Sequence, residues 1–274
     1  MSGFLDDMAQ SSAQRVLHAK QRESFAALEL RAARAARGSP LRLSAGGFDV
    51  IAELKLRSPA AGVLRDRGDD WLGRVAAYAR GGAAAVSVLT EPSRFDGSLD
   101  HLRQAAAVLT PLGVPAMRKD FLVDPYQVLE ARAAGAGGVL IILRMLTPER
   151  ITELLDAAAD HRLFVLLEAF DAADLELARE LLAARSREET ILIGINSRDL
   201  QTLEVVQERF AALAPLLPAR WACVAESGVA TPFDARSMRR LGYRLALIGT
   251  ALMTRDDPAV LLEEILSATR TVQP

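Results

Sequence analysis

The sequence predicts an α/β fold, a single (β/α)8 TIM barrel with an N-terminal helical extension. Three observations predict it. From residue 49 onward, eight apolar runs of six or seven residues alternate with helix-length amphipathic stretches. The runs are too uniformly apolar to show alternation, as expected of parallel strands covered on both faces. Two run ends, Glu226-Ser227-Gly228 and Ile248-Gly249-Thr250, have the small polar character that suits a phosphate held at the seventh and eighth strand ends of such a barrel.

The elements follow in chain order. Residues 5–37 read as helix, because Ala, Leu, Arg and Glu dominate; Gly38-Ser39-Pro40 ends it. Residues 1–45 are therefore expected to form the extension and 46–274 the barrel, a catalytic domain. The strand runs are 49–55, 84–90, 114–119, 138–143, 163–169, 191–196, 221–227 and 245–250. Helical patterns fall at 71–80, 99–109, 125–134, 148–160, 172–184, 207–217 and 232–241, with a closing helix over 258–269. Asp124-Pro125, Thr147-Pro148 and Thr231-Pro232 each place a capping side chain before a proline at the first helical position. A doubly wound open sheet would carry a Gly-rich turn after its first strand. Lys55-Leu56-Arg57-Ser58-Pro59 stands there instead, without a GxGxxG pattern.

Composition narrows the function. The 274 residues are 50% hydrophobic and 25% charged, enough for a large core. With 33 basic and 35 acidic residues the formal charge is −2, which gives no reason to expect nucleic acid. Cys223 is the one cysteine, so a disulfide framework is excluded and a reducing, cytoplasmic setting is expected. Its place inside an apolar run reads as a buried strand thiol. The N-terminus lacks the basic and apolar segments of a secretory signal, and no apolar run reaches the roughly 18 residues of a membrane span. His18, His101 and His161 fall in or beside helices, without metal-ligand spacing. No metal and no cofactor are expected, and the sequence leaves monomer and homodimer open.

In a barrel, chemistry belongs at the C-terminal ends of strands. Those positions hold Glu53 and Lys55; Ser87, Thr90 and Glu91; Arg118, Lys119 and Asp120; Glu168; Asn196 and Arg198; Glu226 and Ser227; Gly249 and Thr250. The fourth strand offers none. A charge in an apolar run is costly unless paired or solvated in a cavity. Glu53 and Lys55 are two apart and so face the same side, the lumen. One alternative is an ion-pair network that merely caps the barrel. Two lysines, three carboxylates and an amide on one rim exceed what a cap needs. Gly228 and Gly249 let a phosphate approach backbone N–H groups, and Ser227 and Thr250 add hydroxyls. A loop of this kind leading into a helix favours an anion.

Six motifs in order resemble the indole-3-glycerol phosphate synthase family. They are Ile51-Ala-Glu-Leu-Lys-Leu-Arg-Ser-Pro59, Ser87-Val-Leu-Thr-Glu91 with Phe95-Asp-Gly-Ser98, Arg118-Lys-Asp-Phe-Leu-Val-Asp124, Ile193-Gly-Ile-Asn-Ser-Arg-Asp-Leu200, Ala225-Glu-Ser-Gly228 and Leu247-Ile-Gly-Thr-Ala-Leu-Met253. The resemblance covers roughly residues 45–255. It implies a small phosphorylated substrate, 1-(2-carboxyphenylamino)-1-deoxyribulose 5-phosphate, closed to an indole with loss of carbon dioxide and water. By motif, it implies Lys119 as general acid and Glu168 as general base around dehydration. It further implies that Lys55 pairs with the substrate carboxylate and shares acid duty, that Glu53 and Asn196 orient hydroxyl groups and these lysines, and that Glu226 supports the same network. The same resemblance implies that Ser58 and Arg198 hold substrate and that Phe95, Phe121, Leu140 and Leu200 form the apolar wall around its aromatic ring. A lysine near like charge and apolar walls is expected to have a lowered pKa and to donate near neutrality.

Three departures stand out. Ala60 follows Pro59 where a serine is usual, Phe170 follows Glu168-Ala169 where a histidine is usual, and Gly137-Gly138 stands where an aspartate is common. They leave open a paralogue acting on a modified anthranilate-derived substrate. A catalytically silent phosphate-binding barrel is a further alternative. A phosphoribosylanthranilate isomerase would want a Cys–Asp pair at strand ends, and Cys223 sits mid-run with no such pair in the sequence.

Overall fold

A computed structural model describes residues 3–58, 62, 63, 70–186, 188–199 and 202–270. Eight parallel strands close a barrel: Asp49–Leu54, Ala85–Leu89, Ala116–Lys119, Gly138–Ile142, Phe164–Ala169, Ile191–Asn196, Ala222–Glu226 and Leu245–Ile248. Each strand pairs with its neighbour in sequence, and the first closes on the eighth through Asp49 opposite Leu245. Helices cover the outside, so both strand faces are buried and the apolar runs are explained.

The two faces part cleanly. Val50, Ala52 and Ile193 lie in a cluster between sheet and helices. Ile51, Met117, Leu166, Leu192 and Leu247 fill the lumen. Each fully buried Leu or Ile contributes about 1.5–3 kcal/mol. Cys223 belongs to the outer cluster, and burial pushes its thiol up to about 12; it is not placed for acid–base work in the lumen.

Capping fixes where the helices begin, and so where the strand ends open. Asp124, Thr147 and Thr231 accept from the backbone N–H of Tyr126, Arg150 and Asp234, each worth about 1 kcal/mol.

Two expected helices are interrupted. The stretch 5–37 is two helices, Phe4–Arg22 and Phe25–Arg34. Ser24 takes an extended conformation and accepts from Ala27 N–H, starting a second helix rather than continuing the first. The second ends early, and Arg132 of the barrel binds the carbonyls of Ala35 and Ala36. The sixth barrel helix is α-helical only over Glu208–Leu213; Pro215 tightens its end into a 3-10 turn.

Candidate active site

At the C-terminal mouth lies a cavity of about 490 Å³, a size suited to a small organic ligand. Strand alternation explains which side chains reach it. Glu53 of the first strand and Lys55 just beyond it, Lys119 of the third, Glu168 of the fifth, Asn196 of the sixth and Glu226 of the seventh all line it. So do Phe95, Phe121, Leu140, Arg198, Ser227, Gly228, Gly249 and Thr250. Ser58 belongs to a short antiparallel pair, Arg57–Ser58 with Gly62–Val63, and its side chain lies outside the described atoms. Leu200, Pro59 and Ala60 lie outside the described residues.

The charged groups form two ion-pair clusters, coupled by the charges of Glu53 and Lys119 acting on each other. Lys119 Nζ stands 3.5 Å from Glu168 Oε2 and 3.5 Å from Glu226 Oε2. Lys55 Nζ lies 2.9 Å from Glu53 Oε1. All three carboxylates are buried, Glu226 most deeply at 1% exposed. Burial opposes the charge on Glu53, but Lys55 and Lys119 outweigh it and hold the carboxyl below its usual range. Glu226 goes the other way: burial and the neighbouring Glu168 carboxylate together overcome Lys119 and raise it well above its usual value.

Lys119 departs from the sequence expectation. Burial alone would lower its pKa, yet Glu168, Glu226 and Glu53 outweigh burial and raise it. The nearest charges are carboxylates, not the cations the expected depression required. A lysine so held stays protonated through neutrality. It gives up its proton only to a strong base, such as an oxygen becoming an alkoxide.

The rim of the seventh and eighth strands is shaped by backbone. Ser227 and Gly228 both have positive φ, 66° and 78°, a conformation rare for serine outside functional turns. Ser197 donates to the carbonyl of Ser227 and Gln207 to that of Gly228. The Ser227 hydroxyl donates to Asn196 Oδ1 at 3.0 Å, tying this rim to the end of the sixth strand.

Other strand-end candidates serve structure. Arg118 is buried and binds Asp120, Glu130 and the Gln127 carbonyl. The Thr90 hydroxyl donates to Asp120. Glu91 caps the short helix Pro92–Phe95 through Ser93 and Arg94 N–H, which presents Phe95. Two departures have packing reasons. The Arg144 guanidinium stacks on the Phe170 ring, 4.4 Å from its centre, and the Phe164 ring fills the space a side chain on Gly138 would need.

Sequence reasoning missed part of the wall. Phe4 and Leu5 of the first helix line the cavity, and Phe4 meets Phe121 edge-on at 5.9 Å. Nothing in the local sequence marked them. Ile142 and Leu247 also line it; each is two residues from a chosen position, Leu140 or Gly249, so strand alternation could have found them. The first helix is fastened at this mouth by Arg15, whose guanidinium binds both oxygens of Asp120 at 2.8 and 3.0 Å.

Among the described residues, no group of three or more His, Cys, Asp or Glu is arranged for a metal, and no helix is long and apolar enough to cross a membrane.

Comparison with known proteins agrees with the motifs. A family-wide profile of indole-3-glycerol phosphate synthase matches residues 5–265. The chain is 42% identical to the protein of that name from Bordetella pertussis, over 82% of each chain. It is 43% identical to the one from Nocardioides sp., over 87% of this chain and 89% of the other. A relative of the same name from Rhizorhabdus wittichii is 38% identical, over 97% and 99%. Among solved structures, 3-hexulose-6-phosphate synthase from Salmonella typhimurium aligns with a TM-score of 0.62 at 11% identity, covering 81% of this chain and 99% of the other. Thiamine phosphate pyrophosphorylase from Pyrococcus furiosus aligns at 0.58 and 14%, covering 83% and 98%. These two share the fold.

Proposed function

The chain belongs to the indole-3-glycerol phosphate synthase family, and from that membership we propose how its cavity does the family's work. The protein is a decarboxylating lyase of tryptophan biosynthesis. The reaction closes 1-(2-carboxyphenylamino)-1-deoxyribulose 5-phosphate to an indole and releases carbon dioxide and water.

In this reading the phosphate rests on Ser227, Gly228, Gly249 and Thr250. The aromatic ring packs among Phe95, Phe121 and Leu140, with Phe4 and Leu5 closing the wall. The ring carbon bearing the carboxylate attacks the ketone carbon. Lys119 delivers its proton to the ketone oxygen as negative charge builds there. The raised pKa suits this step, because the developing alkoxide is a stronger base than the amine. The buried carboxylates offset the iminium charge that appears across the ring. Carbon dioxide leaves and the ring regains its aromaticity. In dehydration the hydroxyl departs as water, with Lys55 sharing the acid role, while Glu168 takes a proton from the closing pyrrole. Lys55 also pairs with the substrate carboxylate, and Asn196 and Arg198 orient the sugar hydroxyls.

The observation that carries this reading is the Lys119 ammonium poised 3.5 Å from both Glu168 and Glu226 on the cavity wall. The test is turnover of the synthetic substrate, followed by indole absorbance. Lys119→Ala is expected to lower kcat by about 100-fold or more, with a smaller change in KM. Near-wild-type turnover would remove Lys119 from the acid role.

A further inference from the structure

Two glycines on the lumen face of the barrel stand beside the buried carboxylates. Gly194 lies in the sixth strand, opposite Glu168 and Val224. A methyl group on it would overlap Glu226 Oε1 and approach Glu226 Cδ to 3.0 Å and Leu166 Cδ1 to 3.1 Å. Gly249 follows the eighth strand. A methyl group there would overlap Glu53 Oε1 and come within 3.2 Å of Glu53 Cδ and 3.3 Å of its Cβ.

The backbone does not ask for glycine at either place. Neither residue has a positive φ, and a glycine inside a strand costs stability that a side chain would restore. The missing atoms are explained by space. Glu226 is 1% exposed and Glu53 4%, so the room into which either carboxyl can be pushed is the cavity that both line. Glu226 also accepts from Lys119, and Glu53 from Lys55.

We infer that Gly194 and Gly249 are positioning residues of the reaction: their empty Cβ positions are the seats of the Glu226 and Glu53 carboxyls, and through these they set where Lys119 and Lys55 stand. The inference rests on the proposed membership of Glu226 and Glu53 in the reacting set. It also gives Gly249 a second duty beside the phosphate rim. The atom a new methyl would overlap is a carboxyl oxygen in each case, with only tight contacts beyond it, to Leu166 at Gly194 and to the rest of Glu53 at Gly249, so the barrel keeps its fold while its charged set moves. Shifts of about an ångström in such a set cost up to about 100-fold in rate.

The experiment compares Gly194→Ala, Glu226→Asp, their double variant and Glu226→Ala, by kcat, KM and thermal midpoint. Gly194→Ala is expected to lower kcat about 10- to 100-fold, with KM and the midpoint little changed. Shortening the acid by one methylene makes room for the methyl, so the double variant is expected to turn over faster than Gly194→Ala alone. A merely structural clash would instead lower the midpoint of Gly194→Ala and leave kcat per folded molecule unchanged, which would also refute the seat. If Glu226→Ala is impaired while Gly194→Ala matches the wild type, or if the double variant is no faster than Gly194→Ala, the seat is refuted. If Glu226→Ala itself matches the wild type, the membership of Glu226 fails instead. Should Gly194→Ala not fold, Gly249→Ala with and without Glu53→Asp gives the same comparison. There, a rise in KM with kcat intact would leave Gly249 to the phosphate alone and refute its second duty.

Discussion

Arg15→Met tests whether the first helix is part of the active site. Arg15 places two charge-assisted hydrogen bonds on Asp120, the residue after Lys119, at 2.8 and 3.0 Å. Breaking one side of a buried pair costs about 3–5 kcal/mol when the remaining charge is stranded. Asp120 is not stranded, since Thr90 Oγ1, Arg118 Nη2 and Phe121 N–H still donate to it at 2.7, 3.1 and 2.8 Å. Arg15 is also 27% exposed. The expected loss is therefore nearer about 2 kcal/mol, a fall in thermal midpoint of about 4–8 °C for a chain of this size. Because this helix carries Phe4 and Leu5 into the cavity, KM is expected to rise more than kcat falls.

The pH dependence separates charge from packing. Asp120 is buried, which alone would raise its pKa, but Arg15, Arg118 and Thr90 hold it well below its ordinary value. A depressed carboxyl contributes stability that is fully present above the unfolded value of 3.8 and is lost as pH falls through the folded one. The gap between wild type and Arg15→Met is expected to be full at pH 7 and to shrink below pH 3.8. Urea unfolding at pH 7, 4 and 3 measures it. A gap unchanged across that range, or no gap at pH 7, refutes the electrostatic account.

The remaining expectations are simpler. Glu226 has a raised pKa from burial and Glu168, so stability is lost as pH rises above the unfolded value of 4.5 and toward the folded one; Glu226→Gln is expected to gain stability over the wild type across that rise, and a pH-independent difference would contradict the assignment. Thr250→Val is expected to raise KM several-fold with little change in kcat, as for a group remote from the bond changes; a selective fall in single-turnover rate would speak against phosphate at this rim. Cys223, with its thiol at about 12, is expected to react with an aromatic disulfide only after unfolding; rapid labelling of the native protein would contradict its burial.

Much of the site was legible because charge in an apolar run is expensive. Lys119, Glu168 and Glu226 each end such a run, and that alone marked them before any neighbour was known. The period of two along the first strand correctly sent Glu53 and Lys55 to the same side. The single helix expected over 5–37 failed because helix propensity is a property of many residues, while the break depends on one serine finding one N–H.

By itself the sequence determined the barrel, the register of polar strand ends and the identity of most groups at the mouth, since burial and periodicity act along the chain. Only the tertiary structure decided that Lys119 holds its proton more tightly, that a helix from the N-terminus closes the apolar wall, and that Gly194 stands where Glu226 needs room. Each of these depends on separations of a few ångströms between residues up to more than a hundred positions apart. Electrostatic and steric energies respond to that distance through space, which spacing in the chain does not encode.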